Sequence, residues 1–135
     1  MITVTPDEVT QWLYAYKKAW ENKDIDLIIS LFIENADYRE RHFGESLLGH
    51  ADVESYWRNR VFEHQRDITV NHQIWGVKDN QCMATWQASF MWVPINGIIQ
   101  IDGVVRITFS DRIDGKLVCS EFHEWMDYDE VSHQP

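Results

Sequence analysis

Apolar residues in the first third of the chain recur at spacings of three and four, which is the period of an amphipathic helix. Before the first such stripe, Thr5 suits the N-cap, Pro6 suits the first helical position and Glu8 completes a capping box. The apolar residues that follow share one face: Val9, Trp12, Leu13, Tyr16, Ala19 and Trp20. A second stripe begins after Asp24 and comprises Ile25, Ile28, Ile29 and Phe32. The pattern therefore predicts two amphipathic helices in succession.

A short strand and a third helix are predicted next. The helical period disappears between Ala36 and Phe43, where a short strand is expected, and Gly44 ends it. A third helix is predicted from about His50 to Phe62. One side of that helix carries Val53, Tyr56, Trp57 and Arg60.

After Arg66 the apolar period changes from the helical value to two, which is typical of strands. The first two alternating sets are Ile68, Val70, His72 and Ile74, then Trp86, Ala88, Phe90 and Trp92. Turns are indicated by Asp79–Asn80, Asn96–Gly97 and Asp114–Gly115, of which Asn96–Gly97 is the strongest hairpin signal. The last strand is predicted from Lys116 to about Tyr128. We therefore predict one domain over residues 1–129 and a polar tail over residues 130–135.

This order of elements, with helices before a meander of four long strands, indicates an α+β fold rather than a doubly wound α/β fold. Long strands twist and coil. We therefore expect three N-terminal helices packed on the concave side of a strongly curved antiparallel sheet, forming a cone-shaped α+β barrel. If the helices close one end only partly, a cavity remains inside.

Aromatic content bears directly on that cavity. The 135 residues include seven Trp, five Tyr and six Phe. These rings either fill the core or wall a ligand cavity, and both interpretations remain open at this stage.

Charge and segment composition restrict the partners and the compartment. The net charge of −10 argues against nucleic acid and anionic membrane surfaces, because both attract Lys and Arg. The N-terminal residues lack the pattern of a signal peptide, and no apolar run has the length of a membrane span. We therefore predict a cytoplasmic protein in which Cys82 and Cys119 are reduced core residues.

Several short sequence matches occur in the order typical of one superfamily. They are Ala19-Trp20 followed by Asp24, Leu31-Phe32 before Ala36-Asp37-Tyr38, His42-Phe43, Leu48-Gly49 before Tyr56-Trp57, Asp102-Gly103, and Glu124-Trp125 after Gly115. Together they span about residues 9 to 127. In this order the chain resembles the nuclear transport factor 2-like superfamily, and within it the SnoaL-like branch.

The resemblance implies the cone-shaped barrel and a homodimer formed through the outer face of the sheet, with Trp92 and Trp125 as candidates for that face. It does not fix an activity, because the superfamily includes ketosteroid isomerases, polyketide cyclases, dehydratases and members without chemistry.

Asp102 is the first catalytic candidate. It interrupts an apolar stretch, Ile98 to Val105, near the middle of the predicted sheet. A carboxylate in such surroundings is paired, neutralised through a raised pKa, or turned towards water. In the second case it would serve as an acid or base near neutral pH. The alternative is a structural Asp at a bulge beside Gly103.

Glu40 and His42 are the other catalytic candidates. Glu40 resembles the position, four after Ala36, where ketosteroid isomerases carry the Asp that moves the proton, although Arg41 replaces their usual proline. His42 alternates with Tyr38 and Glu40 along the predicted strand and suits proton transfer. The alternatives are a surface ion pair of Glu40 with an arginine and a structural hydrogen bond for His42.

Ligand contacts are predicted for residues that the cone would direct inward. Tyr38, Trp57 and Trp86 would line the cavity, and Tyr16 on the first helix would reach towards it. His123 and Glu124 are adjacent and must face opposite sides of the last strand, so only one points inward. Plain core packing is the alternative for the rings, and a salt bridge with Arg106 is the alternative for Glu124.

No metal or cofactor site is predicted, since the six His are scattered and no Gly-rich phosphate loop is present. Three hypotheses follow. The chain is a cofactor-independent isomerase, cyclase or dehydratase that acts on a hydrophobic ring-containing molecule through Asp102 or Glu40. Alternatively it is a binding or sensing domain without catalysis, or a structural dimer whose own side chains fill its cavity.

Overall fold

Three α-helices pack against a six-stranded sheet in residues 2–40 and 46–133, which are the residues that the computed structural model describes. The helices are α1 (Pro6–Glu21), α2 (Ile25–Ser30) and α3 (Gly49–Tyr56), and α3 continues into a π-helical turn over Trp57–Phe62. The strands are β1 (Phe32–Arg39), β2 (Leu47–Leu48), β3 (Gln65–Lys78), β4 (Gln81–Trp92), β5 (Gly97–Ile113) and β6 (Lys116–His133). The predicted α+β class is confirmed.

Local signals set the starts of the first two helices. The Thr5 hydroxyl accepts a hydrogen bond from the Glu8 amide at 3.2 Å, and the Glu8 carboxylate accepts one from the Thr5 amide at 3.1 Å. Asp24 caps α2 in the same way through the amide of Leu27. All six apolar residues of the predicted α1 face are buried. Capping and amphipathicity therefore select the same helix.

The sheet order is β2-β1-β6-β5-β4-β3. Neighbouring strands are antiparallel, except that β1 and β6 run parallel. This one pair departs from the predicted antiparallel arrangement, because β1 and β6 are not joined by a tight turn that would reverse the chain. The sheet is curved and does not close, and bulges interrupt the β3–β4 and β5–β6 registers.

Two strand limits differ from those predicted. β1 begins at Phe32 rather than Ala36, because the preceding carbonyl of Leu31 already accepts from the Cys119 amide at 2.8 Å. β6 continues past Tyr128 to His133, which lies opposite Gly97. The polar composition of this last segment does not mark a separate tail, since its backbone pairs with β5.

Helix α1 also covers the edge of the sheet. Its Glu21 carboxylate accepts from the Val70 amide on β3 at 2.8 Å, and its Lys17 ammonium donates to the Val70 carbonyl. These bonds satisfy backbone groups that an edge strand would otherwise leave unpaired. Cys82 and Cys119 are buried and unbridged. Within the described residues, no helix combines the length and apolarity needed to cross a membrane.

Candidate active site

The concave face of the sheet carries Trp86 on β4 and Glu124 on β6, and both face α1. Trp86 is 3% exposed and contacts Trp20 of α1, with ring centroids 5.8 Å apart. Glu124 is 5% exposed. His123 is also buried, but of this adjacent pair it is Glu124 that lines the interior cavity with Tyr16 and Trp86.

Gly103 allows Trp86 to lie against β5. The two residues face each other in register. A Cβ atom at position 103 would lie 2.6 Å from the indole nitrogen of Trp86 and 2.8 Å from the carbonyl oxygen of Trp125. Both separations are shorter than a carbon atom can tolerate, so the position of this indole ring requires glycine.

A chain of hydroxyl groups leads from α1 to Glu124. The hydroxyl oxygens of Tyr16 and Tyr38 are 3.2 Å apart, and the Tyr38 hydroxyl donates to Glu124 Oε1 at 3.2 Å. Since Tyr38 has one proton to donate, Tyr16 must be the donor to Tyr38. The chain joins α1, β1 and β6 and fixes one oxygen of the Glu124 carboxyl group.

A second carboxyl group, that of Glu40, enters the same region just after β1. The Tyr56 hydroxyl, at the end of α3, donates to Glu40 Oε1. Burial raises the pKa of Glu40, while the Tyr56 hydrogen bond and the charge of Arg60 lower it. The interior therefore holds two carboxyl groups, each with a tyrosine hydroxyl donating to it.

The two carboxyl groups influence each other. Burial is the main cause that raises the pKa of Glu124 well above its ordinary value, the negative charge of Glu40 adds to it, and the Tyr38 hydrogen bond opposes it. Two carboxyl groups that repel in this way tend to lose their protons one at a time. Burial also raises the pKa values of Tyr16, Tyr38 and Tyr56 well above their ordinary value, so these hydroxyls remain proton donors.

Six rings and the two carboxyl groups surround an interior cavity of about 40 Å³. The rings belong to Tyr16, Trp20, Tyr38, Tyr56, Trp57 and Trp86. This space holds about one water molecule. Most of the expected void is therefore filled, because the rings pack on one another at centroid distances near 6 Å, as in the Trp57 contacts with Tyr16 and Trp20.

Two indole groups at this cavity differ from the other buried indoles. The N–H groups of Trp57 and Trp86 are buried and find no acceptor among the described residues. By contrast, the N–H of Trp20 donates to Gln65 at 2.8 Å, and that of Trp12 donates to the Leu31 carbonyl at 3.1 Å. An unsatisfied buried donor costs about 1–3 kcal/mol.

The structure brings together six of the residues predicted for the site: Tyr16, Tyr38, Glu40, Trp57, Trp86 and Glu124. Asp102 does not join them. It is exposed on the outer face of β5 and accepts a hydrogen bond from Gln87 at 2.9 Å. Its neighbours Ile101 and Gly103 occupy the inner face, so strand alternation turns Asp102 towards solvent. His42 lies outside the described residues, and its role stays a prediction.

Sequence reasoning missed Tyr56 and Trp20 as site residues. Trp20 lies four residues after Tyr16 and therefore shares its helix face. Tyr56 immediately precedes Trp57 at the point where α3 becomes the π-helical turn, and such irregular turns are frequent at functional sites. The i, i+4 spacing of Tyr16 and Trp20 therefore indicates from the sequence that Trp20 lies at the site. No sequence feature indicates the π-helical turn that positions Tyr56.

His123 belongs to a separate polar group. Its Nδ1 atom accepts from Arg106 at 3.0 Å, so its Nε2 atom carries the proton and donates to Asp37 at 3.2 Å. With Glu121 nearby, the spacing of these side chains would admit a metal ion. The proton on Nε2 disfavours this use, because a metal ligand needs that lone pair free.

No known family model matches the sequence, and no curated protein sequence is similar enough to count as a relative. Many solved structures nevertheless share the fold. A hexachlorocyclohexane dehydrochlorinase, LinA type 2, has a TM-score of 0.77 and 12% identity over 93% of this chain and 88% of that one. The epoxide hydrolase/cyclase-like enzyme SalBIII has a TM-score of 0.71 and 17% identity over 87% and 89%.

A ketosteroid isomerase-like protein from Erwinia carotovora atroseptica has a TM-score of 0.69 and 10% identity over 93% of this chain and 95% of that one. These similarities identify the fold as the nuclear transport factor 2-like cone fold, as the sequence resemblance implied. At such low sequence identity they establish the fold only, and the activity must be inferred from the residues of the site.

Proposed function

We propose that this protein is a cofactor-independent enzyme that moves protons on a hydrophobic, ring-containing small molecule, as an isomerase, cyclase or dehydratase does. One observation carries the proposal: the carboxyl groups of Glu40 and Glu124 share an aromatic interior, where the charge of Glu40 adds to the burial that raises the pKa of Glu124. Such an arrangement destabilises the folded state but suits acid–base catalysis. Structural neighbours include a dehydrochlorinase and a cyclase-like enzyme, which is consistent with this class.

The surroundings of the two groups suggest their roles. Glu40 has the charge of Arg60 nearby, so it ionises first and is the proposed base. Glu124 is deeper and keeps its proton, so it is the proposed acid. In a dehydration, Glu40 would take the proton of a C–H bond, those electrons would form the C=C bond, and Glu124 would protonate the departing hydroxyl group as water.

Substrate access requires the cavity to widen. Two lining residues are accessible from outside: Ile101 is half-buried, and Met126 is 41% exposed. Methionine side chains are flexible and adapt to ligands. We propose that substrate enters by displacing Met126, with the sheet unchanged.

The proposed chemistry predicts loss of proton transfer in the carboxyl variants. Wild type should catalyse deuterium incorporation, or loss of water, with members of a panel of ring ketones and β-hydroxy ring ketones in D₂O, followed by NMR. Glu40→Gln and Glu124→Gln should each lower the rate by roughly 10²- to 10⁴-fold. Asp102→Asn is the matched control on the outer face and should retain the rate. Wild-type rates in both glutamine variants would exclude the proposal. Loss of activity in Asp102→Asn alone would mean that Asp102 carries out the proton transfer.

A structural role without chemistry is the second candidate, and the small cavity of about 40 Å³ favours it. Here the aromatic rings would be a filled core, and no ring compound would enter. Intrinsic tryptophan fluorescence separates the two cases, because Trp20, Trp57 and Trp86 would report any ligand that widens the cavity. A binding domain without catalysis would instead show ligand binding that persists in both glutamine variants.

We also propose that two copies associate through the outer face of the sheet. A stripe of mainly apolar residues crosses this face from β3 to β6. The Trp75 indole on β3 donates a hydrogen bond to the Thr85 hydroxyl on β4. Thr85 lies opposite Val104 on β5, which lies opposite Trp125 on β6. Trp75, Val104 and Trp125 are 68%, 37% and 43% exposed. Exposed rings in one continuous patch are typical of protein interfaces.

Val104→Glu should therefore prevent this association, because it introduces a charge at the centre of the stripe. Sedimentation velocity should show a dimer for wild type and a monomer for the variant. Ile113→Glu, at an exposed apolar residue elsewhere on β5, is the control and should remain dimeric. A wild-type protein that sediments as a monomer at all concentrations would rule out the dimer.

A further inference from the structure

Three successive cross-strand pairs of β5 and β6 point towards the outer face of the sheet and differ in chemistry. In order along the strands, they are Arg106–His123, Val104–Trp125 and Asp102–Asp127. We call them the cationic, apolar and anionic pairs. The apolar pair therefore lies midway between a guanidinium group and two carboxylates.

The anionic pair has no cation of its own. Asp102 and Asp127 are exposed and lie directly opposite each other, an arrangement in which like charges destabilise a sheet. Gln87 donates one hydrogen bond to Asp102, but neither carboxylate forms an ion pair with any residue in 2–40 or 46–133. Both residues line an open groove of about 560 Å³. The groove therefore has the charge and the room for a cationic side chain.

Arg106 is a cation with donors to spare. Its guanidinium donates to His123 Nδ1 at 3.0 Å and lies over the Trp125 ring, 5.8 Å from the ring centroid. A guanidinium carries five N–H donors, and in the described part of the chain Arg106 uses one of them. The carboxylate of Asp37 contacts His123 and Arg39 instead. Arg106 is thus held against the outer face without a carboxylate partner in its own chain.

We infer that the two-fold axis of the dimer passes between Val104 and Trp125, so that Arg106 of each copy pairs with the partner's Asp127. A two-fold axis at this point exchanges the cationic and anionic pairs, because they lie equally far from it on opposite sides. Val104 then packs against the partner's Trp125. The inference rests on the proposed association through the outer face and adds its register and its charged contacts.

The charges disfavour the neighbouring registers. An axis through the anionic pair would bring four carboxylates together, and an axis through the cationic pair would bring two guanidinium groups together. Like charges placed opposite each other across an interface strongly oppose association. Of these three positions, the one at the apolar pair is therefore the one that satisfies both charged pairs.

Charge reversal tests this register. Arg106→Asp and Asp127→Arg, each studied alone, should weaken dimerisation by roughly 100-fold, because like charges then meet at both ends of the interface. An equimolar mixture of the two variants should form a heterodimer with nearly the wild-type dissociation constant, because both contacts then join opposite charges. Sedimentation velocity on the separate variants and on the mixture measures these constants.

Arg58→Asp and Glu54→Arg are the matched controls. These residues form an exposed ion pair in the helical layer, and the substitutions change the net charge by the same amounts. Each control should dimerise like wild type, alone or mixed. Wild-type dimerisation of Arg106→Asp and Asp127→Arg would overturn the inference, as would a mixture of these two folded variants that stays monomeric.

Neutral substitutions provide a second measurement, which decides the matter if a reversed charge prevents folding. Arg106→Gln and Asp127→Asn should each weaken the dimer by about tenfold, as loss of one charged partner does. The double variant should be weakened by much less than the product of the two single effects, because both substitutions remove the same contact. Effects that simply multiply would mean that the two side chains act independently, and would overturn the inference.

Failure of the register is distinguishable from failure of the dimer. If Val104→Glu dissociates the protein but the charge variants do not, the outer-face dimer stands and the inferred register is wrong. If wild type is a monomer at all concentrations, both are wrong. Neither result affects the proposed proton transfer, since Arg106 and Asp127 do not line the interior cavity.

Discussion

Gly103→Ala is expected to destabilise the protein by about 3 kcal/mol, the upper range for overpacking a buried site. The added Cβ would lie 2.6 Å from the indole nitrogen of Trp86. Rotation of that side chain alone would not relieve the clash, because the Trp125 carbonyl oxygen lies 2.8 Å from the same Cβ and belongs to the neighbouring strand. Strands β5 and β6 must therefore separate locally, and Trp86 must also shift.

Urea unfolding followed by far-ultraviolet circular dichroism measures this loss. Gly76→Ala is the matched control, since it is another strand glycine and no atom lies within 4 Å of the Cβ that alanine would add there. We expect this control to be neutral or slightly stabilising, because alanine loses less backbone entropy on folding. Equal midpoints for Gly103→Ala and wild type would mean that Trp86 does not depend on a glycine at position 103.

The fold was accessible from the sequence wherever a local signal agreed with the tertiary structure. The capping box at Thr5 and the stripe from Val9 to Trp20 define α1 without any long-range information. Asp79, Asn96 and Asp114 adopt positive φ at the predicted turns. Turn chemistry of this kind depends on neighbours in the sequence, so it can be recognised before the fold is known.

Selection among the acidic residues was less successful for a physical reason. The apolar neighbours of Asp102 in the sequence indicate an interior position, but side chains on a strand alternate between faces. Val105 and Ile107 are fully buried, so the odd-numbered residues of β5 face inward and Asp102 faces outward. Applying the period-two rule to β5 would have removed Asp102 from the interior. Glu124 is in register with Val105, which places it on the inner face.

Other features of the site depend on contacts between distant segments. The carboxyl groups of Glu40 and Glu124 approach because β1 lies parallel to β6, with Tyr38 opposite Phe122. No hairpin joins these strands, so the sequence carries no local mark of their pairing. The cavity volume and the unsatisfied donors depend on how large rings from two helices, the π-helical turn and two strands pack, and no local pattern encodes that arrangement.

Glu124→Gln is expected to make the protein more stable than wild type at mildly alkaline pH, by about 1–2 kcal/mol. Burial raises the pKa of Glu124 in the folded state well above the ordinary value of 4.5. A group whose pKa is raised by folding contributes stability that is complete below its unfolded pKa and is lost as pH increases towards its folded pKa. Wild type should therefore lose stability as pH rises. Glutamine retains an oxygen that accepts from Tyr38 but does not ionise, so the variant should lack this decline.

The test compares unfolding free energies of wild type, Glu124→Gln and the exposed-site control Glu63→Gln from pH 6.5 upwards. Below that pH a separate effect intervenes, because burial lowers the pKa of His72 from 6.5 to about 4. Its protonation on unfolding should cost all three proteins about 3 kcal/mol as pH falls through that interval, which would overlap with the effect of Glu124 there. Parallel alkaline limbs for wild type and Glu124→Gln would show that Glu124 ionises normally in the fold, which would also remove the basis for its role as an acid.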